Sequence, residues 1–576
     1  MGGDVVDPRG DLAWGTIPTL VADAAARGGE QVAVVAPGEG PAGGARVSFG
    51  ELADQVATAT RAYVASGVRP GDRVAVWAPN GLEWIVASLG ALGAGAVLVP
   101  LNTRFKGAEA AGVLRTSGAR FLVSVDSFLG VDYPEALADA VSAHPLPDLE
   151  AVITVPAPRA GRVTGAPRRP GASSSVPWDT FLERADSVPE EVAAGRTAAV
   201  RADDVSDLVF TSGTTGAPKG VMTTHAQTLR TFATWSAVVG LAPGDRYLIV
   251  NPFFHTFGYK AGVLACLMAG ATMVPEPVFD LDRLVRTVEA ERITVLPGPP
   301  TVLRSLLEHP ERDRVDLSSL RLAVTGAAEV PVELVERLRD ELGVATVLTA
   351  YGLTEACGTV TMCRRGDPPE VVARTSGRAI PDVEVRVVDS AGRARPAGEP
   401  GEVVVRGYNV MRGYFGDPEA TASAVDEEGW LHTGDVGALD EAGNLAITDR
   451  LKDMYVSGGF NVYPAEVEAV LRTHPGIAQV AVVGVPDARL GEVGCAVVVP
   501  AQSQDGTGGP TGVARGLADD LTAWARQRLA NFKVPRRVVL VDELPVNAGG
   551  KVLKRELRDR YGEPATLGDG GRAGTG

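Results

Sequence analysis

Between residues 72 and 102 two apolar runs, RVAVWAP and AVLVPLN, bracket the segment GLEWIVASLGALGAG. The runs have strand length and the segment between them has helix length, so the stretch reads strand, helix, strand, and a crossover of this kind joins parallel strands. This feature constrains the fold most, because a parallel sheet needs helices over its faces. The rhythm returns in VSFGELADQVATATRAYVASG at 47–67, at 120–125, at 247–250 with a helix after Tyr259, and at 293–296 before a Pro-rich turn. The expected class is therefore α/β, with mainly parallel sheets flanked by helices. From 383 to 448 short strands alternate with Gly turns, which reads as antiparallel hairpins and a small β-rich subdomain. The segment 449–471, DRLKDMYVSGGFNVYPAEVEAVL, leaves a strand, passes a Gly-Gly loop and enters a Pro-started acidic helix, which marks a junction to a small α+β domain. A chain of 576 residues exceeds the roughly 250 to 300 residues at which single cores stop growing. The expected division is 1–451, 452–560 and a disordered tail at 561–576.

A formal net charge of −16 argues against nucleic acid as a partner, since backbone phosphates need a basic face. The longest apolar stretch, 87–101, is too short and Gly-rich to span a bilayer, and the N-terminus lacks the basic-then-apolar design of a secretion signal, so a cytoplasmic location is expected. Cys266, Cys357, Cys363 and Cys495 lack metal-ligand spacing and read as small core residues. Residues 156–176 and 501–511 are rich in Gly, Pro and Ser and read as solvated excursions. Only Lys106, Lys219, Lys260, Lys452, Lys533, Lys551 and Lys554 among the 55 basic residues are lysines. So arginine-biased a chain is expected to keep lysine where a compact point charge is needed.

The segment 211–220, TSGTTGAPKG, follows an apolar run and combines four hydroxyls, three glycines and one lysine. Backbone N–H groups, hydroxyls and an ammonium in that density suit polyphosphate oxygens. Pro218 stands directly before Lys219, where the common P-loop requires Gly. In NPFFHTFGYKAGVLACLMAGA, 251–271, an aromatic-rich start precedes an apolar helix, and His255 stands either at the mouth of an apolar pocket or packed in the core. LAVTGAAEVP at 322–331 suits close backbone approach by a flat ring. LTAYGLTEACG at 348–358 places Tyr351 for stacking, Thr354 for a phosphate and Glu355 for Mg²⁺, unless it is an ordinary strand-end turn. ELPVNAGGKVLKREL at 543–557 sets Lys551 on a Gly-Gly turn, which suits a moving catalytic arm.

Taken together, TSGTTGAPKG, YGLTE, GWLHTGD, DRLKD, GGFNVYPAEVE and the 545–551 element, in that order, resemble the adenylate-forming superfamily that includes acyl-CoA synthetases, luciferases and peptide-synthetase adenylation domains. The resemblance covers about residues 48–557. It implies a large N-terminal domain, a small mobile C-terminal one, and ATP, Mg²⁺ and coenzyme A as reactants with a carboxylic acid. By the same resemblance Thr211, Ser212, Gly213, Thr214, Thr215 and Lys219 hold the ATP phosphates. Gly326, Ala327, Ala328, Tyr351 and Gly352 line adenine, Thr354 touches the α-phosphate, and Glu355 ligates Mg²⁺. Asp435 and Arg450 grip the ribose, His255 gates the acyl site, Lys551 is the adenylation lysine, Lys452 is the hinge, and Gly458, Gly459 and Asn461 line the pantetheine tunnel.

The activity so implied has two halves: the acid displaces pyrophosphate from ATP, then coenzyme A displaces AMP. The lack of a carrier segment after Lys551 argues against a peptide-synthetase module, and the compact run from YGLTE to GWLHTGD argues against ligases that stop at the adenylate. NPFFHTFGYKAGVLACL, RITVLPGPPT and DLSSLRLAVTGAAEVPVELVERL resemble acyl-CoA ligases of steroid breakdown that take the propionate side chain of a C/D-ring indanedione. A medium-chain fatty or aryl acid is the other substrate expected, and a silent nucleotide-binding regulator, disfavoured by Glu355 and Lys551, is the reading from another class. Lys260 is expected either to meet a keto oxygen of the acid or to snorkel to solvent. A homodimer is compatible with the resemblance.

Overall fold

The structure is a computed structural model, and it describes residues 6–36, 44–142, 144–157, 175–212, 218–326, 330–450, 455–462, 464–501, 510–545 and 552–562. It divides into two compact units, one of Met1–Thr211 with Pro218–Leu451 and one that holds Lys452–Gly576.

In the first unit the opening crossover is as the sequence predicts. The strand Arg73–Trp77 pairs in parallel with Val97–Pro100 and with Phe121–Val125, and the helix Leu82–Gly93 joins the first two. That helix is buried on nearly every side because it is apolar on nearly every side. The helix Phe49–Ala65 starts where Ser48 and Glu51 cap each other: the Glu51 N–H donates to Ser48 Oγ at 3.1 Å and the Ser48 N–H to Glu51 Oε2 at 2.8 Å. These elements belong to an eight-stranded sheet that continues through Val205–Ser212 and Pro218–Thr224.

A second sheet of nine strands has a parallel centre, in which Arg246–Ile249, Val295–Pro297, Leu322–Gly326 and Thr346–Tyr351 lie side by side. Antiparallel strands close its ends. Gly326 and Tyr351 finish adjacent parallel strands, with Gly326 in register with Ala350, and the carboxyl ends of such strands are where open α/β sheets bind ligands. Four antiparallel strands, Val383–Val388, Gly401–Gly407, Leu431–Leu439 and Leu445–Arg450, form the small β-rich part.

The second unit is built on the hairpin Ile477–Asp487 and Gly491–Pro500. Alternate residues serve opposite faces, as strand geometry requires. Val480, Val482, Ala496 and Val498 pack with Val467, Leu471, Leu521 and Leu529, and Ala481, Val483, Cys495 and Val497 pack with Leu544 and Leu557. Tyr561, which the sequence assigns to the tail, is the last residue of the helix Lys554–Tyr561, and its carbonyl accepts a bond from Arg537 Nη1 at 2.7 Å. Among the described residues no helix is long and apolar enough to cross a membrane.

Candidate active site

Within the first unit the strands Val205–Ser212 and Pro218–Thr224 flank the hydroxyl-rich segment, one ending at Ser212 and the other beginning at Pro218, next to Lys219. Lys219 lies with Nζ 5.0 Å from the centre of the Tyr414 ring, and Tyr414 in turn donates its hydroxyl to Glu355 Oε1 at 3.0 Å. The backbone ties this group down: the Met411 N–H donates to the Glu355 carbonyl at 2.8 Å, the Arg412 N–H to Met222 at 3.0 Å and the Phe415 N–H to Gly220 at 2.7 Å. A cation, a phenol and a carboxylate thus converge beside the start of the strand Pro218–Thr224. Among the described residues no three His, Cys, Asp or Glu side chains cluster as a metal cage. Glu355 as a lone carboxylate fits Mg²⁺, which is usually held by one or two carboxylates plus ligand phosphates.

Glu355 sits in the short 3-10 turn Thr354–Ala356, held in place by what surrounds it. Gly352 is required there, since a Cβ would lie 2.1 Å from the Gly358 carbonyl oxygen. Gly358, at φ +96°, brings the turn against Thr256, the residue after His255. Tyr351, half-buried, donates its hydroxyl to Asp435 Oδ2 at 2.6 Å, and Asp435 is 4% exposed. Asp435 stands in register with Arg450 across the antiparallel strands. Tyr351 and Asp435, predicted as separate adenine and ribose contacts, are therefore one bonded pair.

His255 is exposed, and it caps the turn Thr256–Gly258 by accepting the Phe257 N–H at Nδ1, 3.2 Å away. The loop before it is pinned by Asn80, which is buried, donates to the carbonyls of Ile249 and Asn251 at 3.2 and 2.9 Å, and accepts the Phe253 N–H at 2.8 Å. Lys260 corrects both sequence expectations. It does not reach solvent and its ammonium is already paired: its side chain is 0% exposed and its Nζ lies 2.9 Å from Asp207 Oδ1, also 0% exposed. Burial pulls its pKa down, but the charge of Asp207 raises it past the ordinary lysine value. All four cysteines are buried and free.

In the second unit Gly458 and Gly459 form the two-residue turn between Tyr455–Ser457 and Phe460–Val462, with φ of +58° and +82°. That hairpin turn by itself demands positive φ at both positions. Gly213, Thr214, Thr215, Ala327, Ala328, Lys452 and Lys551 lie outside the described residues, as do the side chains of Ser212, Arg450 and Asn461. Tyr414 and Asn80 carried no signal in the sequence: Tyr414 belongs to a strand of two residues, Gly413–Tyr414, and Asn80 acts only through contacts with residues about 170 positions away.

The AMP-binding enzyme family matches residues 21–415, and the AMP-binding enzyme C-terminal domain matches 466–551. The chain belongs to the AMP-binding enzyme family. It is 50% identical over 544 residues, 94% of this chain and 98% of the relative, to a 3-[(3aS,4S,7aS)-7a-methyl-1,5-dioxo-octahydro-1H-inden-4-yl]propanoyl:CoA ligase of Rhodococcus jostii (strain RHA1). A protein of the same name from Mycobacterium tuberculosis (strain ATCC 25618 / H37Rv) is 51% identical over 516 residues, 89% of this chain and 94% of the relative. Among solved structures, the amide bond synthetase McbA from Marinactinospora thermotolerans superposes with a TM-score of 0.77 at 31% identity, over 95% of this chain and 99% of that one.

Proposed function

We propose that the protein is an ATP-dependent acid:CoA ligase whose acid is the methylated dioxo-octahydroindenyl propanoate named for its two relatives. What carries the substrate reading is identity of about one half to both relatives along nearly the whole length of each.

The acid carboxylate forms a bond to the α-phosphorus of ATP, and the bond to pyrophosphate breaks. Lys219 holds the phosphates, with Thr211, Ser212, Gly213, Thr214 and Thr215 donating around them and Thr354 at the α-phosphate, while Tyr414 orients the Glu355 carboxylate. Glu355 would hold Mg²⁺, which would supply positive charge to the phosphate oxygens. Tyr351 with Gly326, Ala327, Ala328 and Gly352 holds adenine, and Asp435 with Arg450 holds the ribose. Lys551 neutralises the charge that develops in this first step. The coenzyme A sulfur then forms a bond to the acyl carbon, the bond to AMP breaks, and the thiol proton passes to solvent. Gly458, Gly459 and Asn461 line the thiol's path, and Lys452 acts as the hinge between residues 1–451 and 452–560. His255 borders the acyl group. Cytoplasmic location and homodimer formation belong to the same proposal.

The test is a panel containing the indanedione propanoate, a medium-chain fatty acid and an aryl acid, with ATP and Mg²⁺. Pyrophosphate release is expected with the bicyclic acid first, and thioester only on addition of coenzyme A. Release with a straight-chain acid but not with the bicyclic one refutes the substrate, and amide formation in place of thioester refutes the ligase reading.

A further inference from the structure

Lys260 is bound by every proton it carries: to Asp207 Oδ1 at 2.9 Å, to Thr223 Oγ1 at 2.8 Å and to Thr228 Oγ1 at 3.1 Å. Asp207 is equally satisfied, since it accepts from Ser206 Oγ and from Thr223 Oγ1, each at 2.7 Å. The Cys357 sulfur lies 3.7 Å from Lys260 Nζ and from Thr228 Oγ1. These partners come from five separate pieces of chain. Asp207 is on the strand that enters the phosphate loop at Thr211, and Thr223 is on the strand that leaves it after Lys219. Thr228 is on the helix His225–Val239, Cys357 follows the turn that carries Glu355, and Lys260 lies in the π-helical turn Tyr259–Leu264 that follows His255.

Two buried charges held this way are a poor route to stability, because well-packed apolar side chains of the same volume usually do as well or better. What the pair supplies is geometry: an ammonium with three directed donors fixes three oxygens on two strands and a helix at once. The π turn is the local distortion that sets Lys260 into this cluster, and such turns recur at functional sites. We infer that Lys260 and Asp207 are a positioning pair, one that locks the strands flanking the phosphate loop to the His255 turn and the Glu355 turn so that ATP and acid meet in register. The inference rests on the ligase reading above, and its consequence falls mainly on one half of the reaction. The adenylation step needs the phosphate loop and both turns in place, whereas attack of a thiol on a preformed acyl adenylate needs the turns but not the loop.

The test compares Lys260→Met, Asp207→Asn and the double variant. Acid-dependent exchange of labelled pyrophosphate into ATP, with the indanedione propanoate and Mg²⁺, reads the first half. Thioester formation from the synthetic acyl adenylate and coenzyme A reads the second. Each single variant leaves a buried charge or its partner exposed to apolar surroundings and is expected to lower Tm; the double variant, which removes both charges and keeps both shapes, is expected to recover most of it. All variants that fold are expected to exchange pyrophosphate about a hundredfold more slowly, while forming thioester from supplied adenylate with a clearly smaller loss. A double variant with recovered Tm and wild-type exchange overturns the inference, as does an equal fall in both half-reactions or a double variant no more stable than the singles. A wild-type protein silent in both assays refutes the ligase reading instead.

Discussion

Replacing Tyr351 with phenylalanine isolates a single bond at the nucleotide end of the site. The ring that is proposed to stack on adenine stays, and only the hydroxyl that donates to Asp435 Oδ2 at 2.6 Å is lost. A hydrogen bond to a charged group contributes about 1.5–3 kcal/mol. Asp435 is 4% exposed, but Tyr351 is only half-buried, so water takes part of the hydroxyl's place and the lower end applies, about 1.5 kcal/mol, or roughly tenfold in an equilibrium constant. Asp435 is proposed to hold the ribose equally in the bound and the reacting complex, and uniform binding of that kind moves KM and leaves kcat. The expected result in acid-dependent pyrophosphate exchange is a KM for ATP raised about tenfold with kcat near wild type. Because the two residues share one bond, Asp435→Asn and Tyr351→Phe should couple by more than about 0.5 kcal/mol in a double-mutant cycle. An unchanged KM for ATP, or effects that add within about 0.3–0.5 kcal/mol, refutes the reasoning that the phenol orients the carboxylate.

Lys551→Ala is expected to abolish pyrophosphate exchange while sparing thioester formation from supplied acyl adenylate; loss of both steps in folded protein contradicts the assigned role. Gly459 has φ +82° with nothing within 4 Å of a Cβ placed there, so Gly459→Asn, which tolerates that backbone region, should fold normally and slow only the thioester step. A wild-type thioester rate in that variant removes Gly459 from the thiol's path. His225 is buried and accepts the Ile17 N–H at Nδ1, 3.2 Å away, and burial pushes its pKa down to about 4 against the ordinary 6.5. The unfolded chain therefore binds its proton first, so stability is complete above about pH 6.5 and falls by roughly 3 kcal/mol as pH drops towards 4. Glu276, pushed up to about 7 by burial, acts in the opposite sense, with stability falling as pH rises from 4.5 to 7. Urea unfolding at stepped pH should show the acid limb flattened in His225→Gln and the opposing limb flattened in Glu276→Gln; unaltered limbs contradict the burial argument.

The parallel crossovers were legible because each strand and helix advertises its own period: RVAVW and VLVP are continuous apolar runs, and the helix between them is apolar all round. Thr211, Lys219, Tyr351 and Glu355 stand out as candidates because the phosphate chemistry proposed for them calls for particular side chains on short loops. What sequence did not disclose is pairing across long distances. That Tyr351 bonds Asp435, that Tyr414 bonds Glu355, and that Asn80 fastens the loop before His255 are consequences of two sheets and a hairpin being folded together. Each of those partners is ordinary in its own local context, so no window of neighbouring residues distinguishes it.

The scarcity of lysine proved a better guide than its first use suggested. Lys219 and Lys551 are both proposed as point charges at a phosphate, but three others suit a point charge for a different reason. Lys260 pairs with Asp207 at 2.9 Å with both side chains fully buried, Lys533 pairs with Glu466 at 2.6 Å with side chains 5% and 12% exposed, and Lys554 pairs with Glu468 at 2.7 Å with 18% and 8%. A guanidinium carries five donors in a rigid fork and is hard to satisfy in such a space, whereas an ammonium needs three partners in directions its flexible stem can reach. Lys→Arg at 260 should therefore be more damaging than at the partly exposed 554. Tm and pyrophosphate exchange check this directly: equal tolerance of arginine at the two positions would mean that composition, not the geometry of the buried pair, keeps lysine there.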